Sequence, residues 1–154
     1  MIIRKITLEE YNDFFKKDPK LCYLGLPDQS LDYLYHTGSV IIGERSVMYG
    51  LYDEAQLICC VQLDPWTEIA TVCHFYLSTD YREKKRFRRI NEMLINYLLE
   101  HEQYKKYIVY VPSACKHVIR TAKALGWDYI GTLTNCYIWR QEVVDLLIYS
   151  EDFK

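Results

Sequence analysis

Apolar positions recur along this chain at two spacings, every second residue and every third or fourth, and the order in which the two alternate predicts an α/β fold. Met1 to Ile6 reads as a short strand, and Thr7-Leu-Glu-Glu10 carries the capping-box pattern of a helix whose apolar face is Leu8, Tyr11, Phe14 and Phe15. Asp18-Pro19 ends that helix, because the residue before a proline is pushed out of the helical region. A shorter helix starts at Pro27, carries Leu31, Leu34 and Tyr35, and stops near Gly38. Strand-like runs follow at Val40 to Ile42, Val47 to Leu51, Gln56 to Leu63 and Ile69 to Leu77, separated by Gly43-Glu-Arg-Ser, Tyr52-Asp-Glu and Asp64-Pro-Trp-Thr turns. The last run is apolar at both parities, with His74 its polar exception, so it is expected at the centre of a sheet covered by helices on both faces.

From Phe87 the positions Phe87, Ile90, Leu94, Tyr97 and Leu98 recur at helical spacing to about His101. Tyr107 to Val111 is the next strand, and Pro112-Ser113 opens a helix burying Val118, Ala122 and Leu125, with Gly126 as its left-handed cap. Trp127 to Leu133 and Cys136 to Arg140 are expected to form a closing hairpin around Thr134-Asn135. One domain over 1–140 is expected, with 141–154 a tail whose Val143, Val144, Leu146, Leu147 and Ile148 need cover from the domain or from a second copy in a homodimer.

Composition narrows the class without naming a function. The 154 residues suit a single domain, and the near balance of 19 Lys and Arg against 21 Asp and Glu gives no overall field that would draw in nucleic acid. The start reads as a strand with no secretory leader, and no window is apolar enough for a membrane span, so a cytoplasmic protein without membrane contact is expected. The cysteines Cys22, Cys59, Cys60, Cys73, Cys115 and Cys136 lack metal-binding spacing and lie mostly in apolar runs, which predicts buried free thiols and no metal.

The chemistry concentrates where the central strand turns into the long helix. Arg82, Lys84, Lys85, Arg86, Arg88 and Arg89 sit at the positive end of that helix, where cations are locally unfavourable. An anion there would explain them: a coenzyme diphosphate, a nucleic-acid backbone and an acidic protein partner remain open, beside a merely solvated face. His74 is the foremost candidate for a general base, weighed against a satisfied core histidine. Glu68, near the start of the same strand, could act through water, and Tyr137 could line an acceptor site. Cys115 near a helix start invites a nucleophile reading, with no His-Asp spacing to support it.

Leu77-Ser-Thr-Asp-Tyr81-Arg82 and Ala124-Leu-Gly126-Trp127, in this order of elements, resemble the GNAT superfamily of acyl-CoA-dependent N-acetyltransferases over nearly the whole chain. More narrowly, Lys85-Arg-Phe-Arg-Arg and the segment from Cys115 to Gly126 resemble the GNAT-like internal virion proteins of short-tailed bacteriophages. The resemblance implies a mixed, mostly antiparallel sheet flanked by helices, and acetyl transfer from acetyl-CoA to an amine on a small molecule or a protein. It implies cofactor contacts from the backbone of Phe75, Tyr76 and Leu77, from the amides of Lys84 to Arg88, including Lys85, Arg86 and Phe87, and from the side chains of Arg82 and Lys85. The phage relationship implies instead an inactive protein binding another macromolecule, in the host cytoplasm or the virion. Three departures stand out: Lys85 and Phe87 replace the family's small loop residues, Ala122 its usual tyrosine, and Cys115 its asparagine.

Overall fold

Reciprocal capping starts the first helix where the sequence places it. Thr7 Oγ1 accepts from the Glu10 N–H at 3.2 Å, and Glu10 Oε2 accepts from the Thr7 N–H at 2.9 Å. The computed structural model describes residues 1–21 and 26–152, so Cys22 lies outside the described residues. Strand β1 (Ile2–Lys5) leads into α1 (Leu8–Lys17), followed by α2 (Asp28–Thr37), β2 (Val47–Asp53), β3 (Gln56–Pro65) and β4 (Ala70–Leu77). A single turn of 3₁₀-helix (Thr79–Tyr81) precedes α3 (Lys84–His101), β5 (Lys106–Pro112), α4 (Lys116–Ala124), β6 (Asp128–Trp139) and β7 (Glu142–Asp152).

The strands form one seven-stranded sheet in the order β1-β2-β3-β4-β5-β7-β6, antiparallel except for β4 against β5. Alternation along β2 and β3 sorts the core. Met48 and Cys60 join Tyr11, Phe14, Phe15, Leu31 and Leu34 from α1 and α2 on one face. Tyr49, Cys59, Val61 and Leu63 meet Ile90, Leu94 and Leu98 of α3 on the other, each buried aliphatic contributing roughly 1.5–3 kcal/mol. Val111 and Tyr149 pack with Cys115, the N-cap of α4, and with Ala122 of that helix, and Trp127 bridges the α3 and α4 clusters. Helices therefore cover both faces of a mostly antiparallel sheet, as expected.

Four local expectations are corrected. Val40 to Ile42 is not a strand: Asn12, buried on α1, accepts the Val40 N–H at 2.9 Å, so a side chain takes the place of a neighbouring strand. Leu8 of the expected apolar face is exposed in the first turn of α1. Thr134-Asn135 is no hairpin turn but an irregularity within β6, between Leu133 and Tyr137, where Asn135 takes a φ of 48° and donates its N–H to Asp145. The hairpin closes at Arg140-Gln141, and the segment expected as a tail supplies β7, inserted between β5 and β6. Among the described residues no helix is long and apolar enough to cross a membrane, and the five described cysteines are free thiols.

Candidate functional site

Strands β4 and β5 begin as neighbours and then part. They pair at Ala70 with Lys106, Thr71 with Tyr107 and Val72 with Ile108, and no pairing follows. Beyond that point β4 stays bonded to β3 and β5 to β7, so each turns an unpaired backbone edge toward the other. The gap opens into a cavity of about 1020 Å³ lined on these edges by Cys73 to Leu77 and by Val109 to Pro112.

One side of the cavity carries the Arg82 guanidinium. The loop after β4 is fixed by Asp18, whose carboxylate accepts from the Thr79 N–H at 2.9 Å and the Thr79 hydroxyl at 3.0 Å. From this loop Arg82 reaches the cavity wall, its Nε donating to the Leu77 carbonyl at 3.2 Å. His117 on α4 lines the same cavity, and burial followed by the charges of Arg82 and Arg120 holds its pKa below the ordinary value. Next to Arg82, α3 starts at the N-cap Glu83 with no side-chain cap and no acidic residue in its first turn. The Lys84, Lys85 and Arg86 amides therefore have no partner within the helix.

The amides expected to hold a pyrophosphate are thus fewer than the resemblance implies. Phe87 donates its N–H to the Glu83 carbonyl at 2.9 Å, and Arg88 continues the same ladder. The Phe87 ring lines the cavity and meets Phe75 edge to face at 5.7 Å, so it floors the slot without filling it. Lys85, Arg86 and Arg88 do not line the cavity. Arg86 lies over the Tyr81 ring and Arg88 pairs with Glu92 at 3.0 Å in the i,i+4 geometry of an exposed helix face. Of the residues expected at the cofactor, Phe75, Tyr76, Leu77, Arg82 and Phe87 are together on the cavity.

The opposite side is built on a polar relay. His74 Nε2 lies 2.8 Å from Asp64 Oδ2, and the same carboxylate accepts from Gln62 Nε2 at 2.9 Å and from the Ser46 hydroxyl. Gln62 Oε1 in turn accepts from the buried Tyr11 hydroxyl at 2.8 Å. Burial opposes ionisation of Asp64, but the bonds from His74, Gln62 and Ser46 outweigh it and bring its pKa down to about 2. Against an ionised carboxylate Nε2 must be the protonated nitrogen, which leaves Nδ1 as the acceptor.

Tyr137 also lines the cavity, with its phenol pushed up to about 12 by burial and by nearby Cys115 and Asp28, so it keeps its proton. Glu68, by contrast, is exposed in the β3–β4 turn, at the paired end of β4 and away from the splay, and does not reach the cavity. Cys115 is buried on the wall, and burial raises its thiol pKa against the pull of Arg140, which disfavours a nucleophilic thiolate. Asp64, Gln62, Tyr11 and His117 were not singled out by the sequence reading. A hairpin folded about the turn after Asp64 places Gln62 opposite His74, and that register is the signal that joins the polar exceptions of two apolar strands.

No family model matches the sequence, and no curated protein matches it. Solved structures resemble the whole chain. A spermidine N-acetyltransferase from Vibrio cholerae aligns with a TM-score of 0.74 at 13% identity, over 99% of this chain and 95% of that one. A GNAT family acetyltransferase from Elizabethkingia anophelis, with acetyl-CoA bound, aligns at 0.69 and 16%, over 99% and 97%. A ribosomal-protein-alanine N-acetyltransferase from Brucella melitensis aligns at 0.71 and 14%, over 99% and 100%. Likeness at this level of identity shows the fold: the chain has the architecture of the GNAT acetyltransferases.

Proposed function

We propose that the protein is an acyl-CoA-dependent N-acetyltransferase acting on an amine. The observation that carries this reading is the open slot between β4 and β5, where two unpaired strand edges and the Arg82 guanidinium meet on one cavity. The residues present suit acetyl-CoA. The edge of Phe75 to Leu77 offers backbone partners to an extended pantetheine arm, and Arg82 and His117 on the cavity wall, next to the uncapped start of α3, would seat its diphosphate.

Acetyl-CoA supplies an activated acyl group, whose transfer to nitrogen forms an amide C–N bond and breaks a thioester C–S bond. Asp64 fixes the ring of His74 with Nε2 protonated, so that Nδ1 takes the proton that the acceptor ammonium must lose. Tyr137 holds a phenolic proton at the cavity wall and would give it to the departing thiolate, the role that the resemblance assigns to a tyrosine at the position of Ala122. The competing reading, an inactive relative of the phage virion proteins that binds another macromolecule, calls for a filled slot, and the open cavity favours the enzyme.

The test is thiol release from acetyl-CoA in the presence of primary amines of several classes. Release by the native protein, reduced about a hundredfold in His74→Ala with the fold retained, is expected. No release with any class contradicts the reading.

A further inference from the structure

The half of the cavity beyond His74 has a chemistry of its own. Tyr137 and Trp139, two residues apart on β6, stand with ring centroids 6.5 Å apart and planes inclined by only 24°. Tyr76 of β4 faces the same space. Pro27 and Ile42 add apolar lining to the same cavity. Asp64 is the only carboxylate among the described residues that line the cavity, and it sits with His74. The guanidinium of Arg140 pairs with Asp28 at 2.7 Å and lies over the Trp139 ring, 4.1 Å from its centroid, so a guest ring meets Trp139 at its remaining surface.

We propose that the acceptor is a singly charged primary amine carried on a flat aromatic body, an arylalkylamine. Its ammonium is placed beside Asp64 and His74, and its ring among Tyr76, Tyr137 and Trp139. This rests on the acetyltransferase reading above and deepens it. Aromatic faces and edges grouped on one wall favour a planar guest through offset stacking and edge contacts, and aromatic faces beside a carboxylate also favour an ammonium group. A diamine would carry its second charge into the apolar wall with no carboxylate to meet it. An amino acid would bring its own carboxylate toward Asp64, which is ionised at neutral pH.

Calorimetry on the full chain, with 2-phenylethylamine, n-butylamine, 1,4-diaminobutane and alanine as probes, reads this choice directly, and acetyl-CoA-dependent thiol release repeats it in turnover. Phenylethylamine is expected to bind at least tenfold more tightly than butylamine, with diaminobutane and alanine weaker still. Trp139→Leu, which keeps apolar bulk but removes the ring face, is expected to erase the preference for phenylethylamine over butylamine. Should Trp139→Leu fail to fold, the order of the four probes on the native protein decides the matter alone. Binding of diaminobutane or alanine as tight as that of phenylethylamine overturns the acceptor class. Thiol release with those probes and not with phenylethylamine also overturns it while leaving the acetyltransferase reading in place, whereas absence of acetyl-CoA binding overturns both.

Discussion

Asp28, the first residue of α2, holds Arg140 in the turn between β6 and β7, 112 positions along the chain. The carboxylate accepts from the guanidinium at 2.7 Å and from the backbone N–H groups of Arg140 and Gln141, each at 2.8 Å. Both turn residues take positive φ, 52° and 66°, a conformation usually left to Asn and Gly. One acid on a helix thus stabilises a turn whose own residues disfavour it. Because Leu26, Pro27 and Trp139 line the cavity on either side of this contact, the same bond sets the shape of the acceptor wall.

Asp28→Ala is therefore expected to lower stability by about 1–2 kcal/mol, a fall in Tm of roughly 3–6 °C, through loss of charge-assisted bonds to a strained turn. Thermal melts of the two proteins check this. A change within half a degree would show that the turn holds itself.

Asp64 makes a second stability claim, with a definite sign. Its folded pKa, about 2, lies below the ordinary aspartate value of about 3.8, so its contribution is fully present above the unfolded value and is lost as pH falls through about 2. With 35% of the side chain in contact with solvent, that contribution is discounted to about 1 kcal/mol. Urea unfolding of the native protein and Asp64→Asn should differ by this amount at pH 6 and converge toward pH 2. A difference that stays constant across the range contradicts the bonding described for Asp64.

His117 predicts how ligand binding responds to pH. Burial, Arg82 and Arg120 depress its pKa in the free protein, and a diphosphate placed beside it would raise that pKa again. Binding then takes up a proton, so acetyl-CoA affinity should increase between pH 8 and pH 6. His117→Ala should flatten the trend. Calorimetry in buffers of different ionisation enthalpy reports the proton directly, and proton release on binding would count against the placement.

Tyr137→Phe separates the hydroxyl from the ring. Loss of a proton donor is expected to lower kcat roughly tenfold to a hundredfold while leaving amine affinity nearly unchanged, since the aromatic wall is retained. An equal loss in KM with kcat intact would assign Tyr137 to binding alone.

Much of the frame is legible in the chain because local chemistry and fold agree there. Thr7 and Glu10 cap α1 as their spacing demands, Gly38 ends α2 at a φ of 74°, and the unbroken apolar run of β4 does sit in mid-sheet between helices. β7 was hidden because its apolar run has no helical or alternating period to announce an inserted strand, and only pairing with β5 and β6 gives it a place. The basic cluster misled for a different reason. With Ile90 and Leu94 turned inward, the 100° step of a helix sends Arg88 toward solvent, so proximity in sequence to Arg82 did not mean proximity to the slot. The Asp64–His74 pair was visible only to cross-strand register, which links residues ten positions apart that no linear motif connects.

The most direct test of the central claim is titration of acetyl-CoA into the native protein by calorimetry, beside Arg82→Ala. Micromolar binding, weakened at least tenfold by the substitution, is the result the open slot between β4 and β5 predicts. No detectable heat at millimolar acetyl-CoA would contradict it.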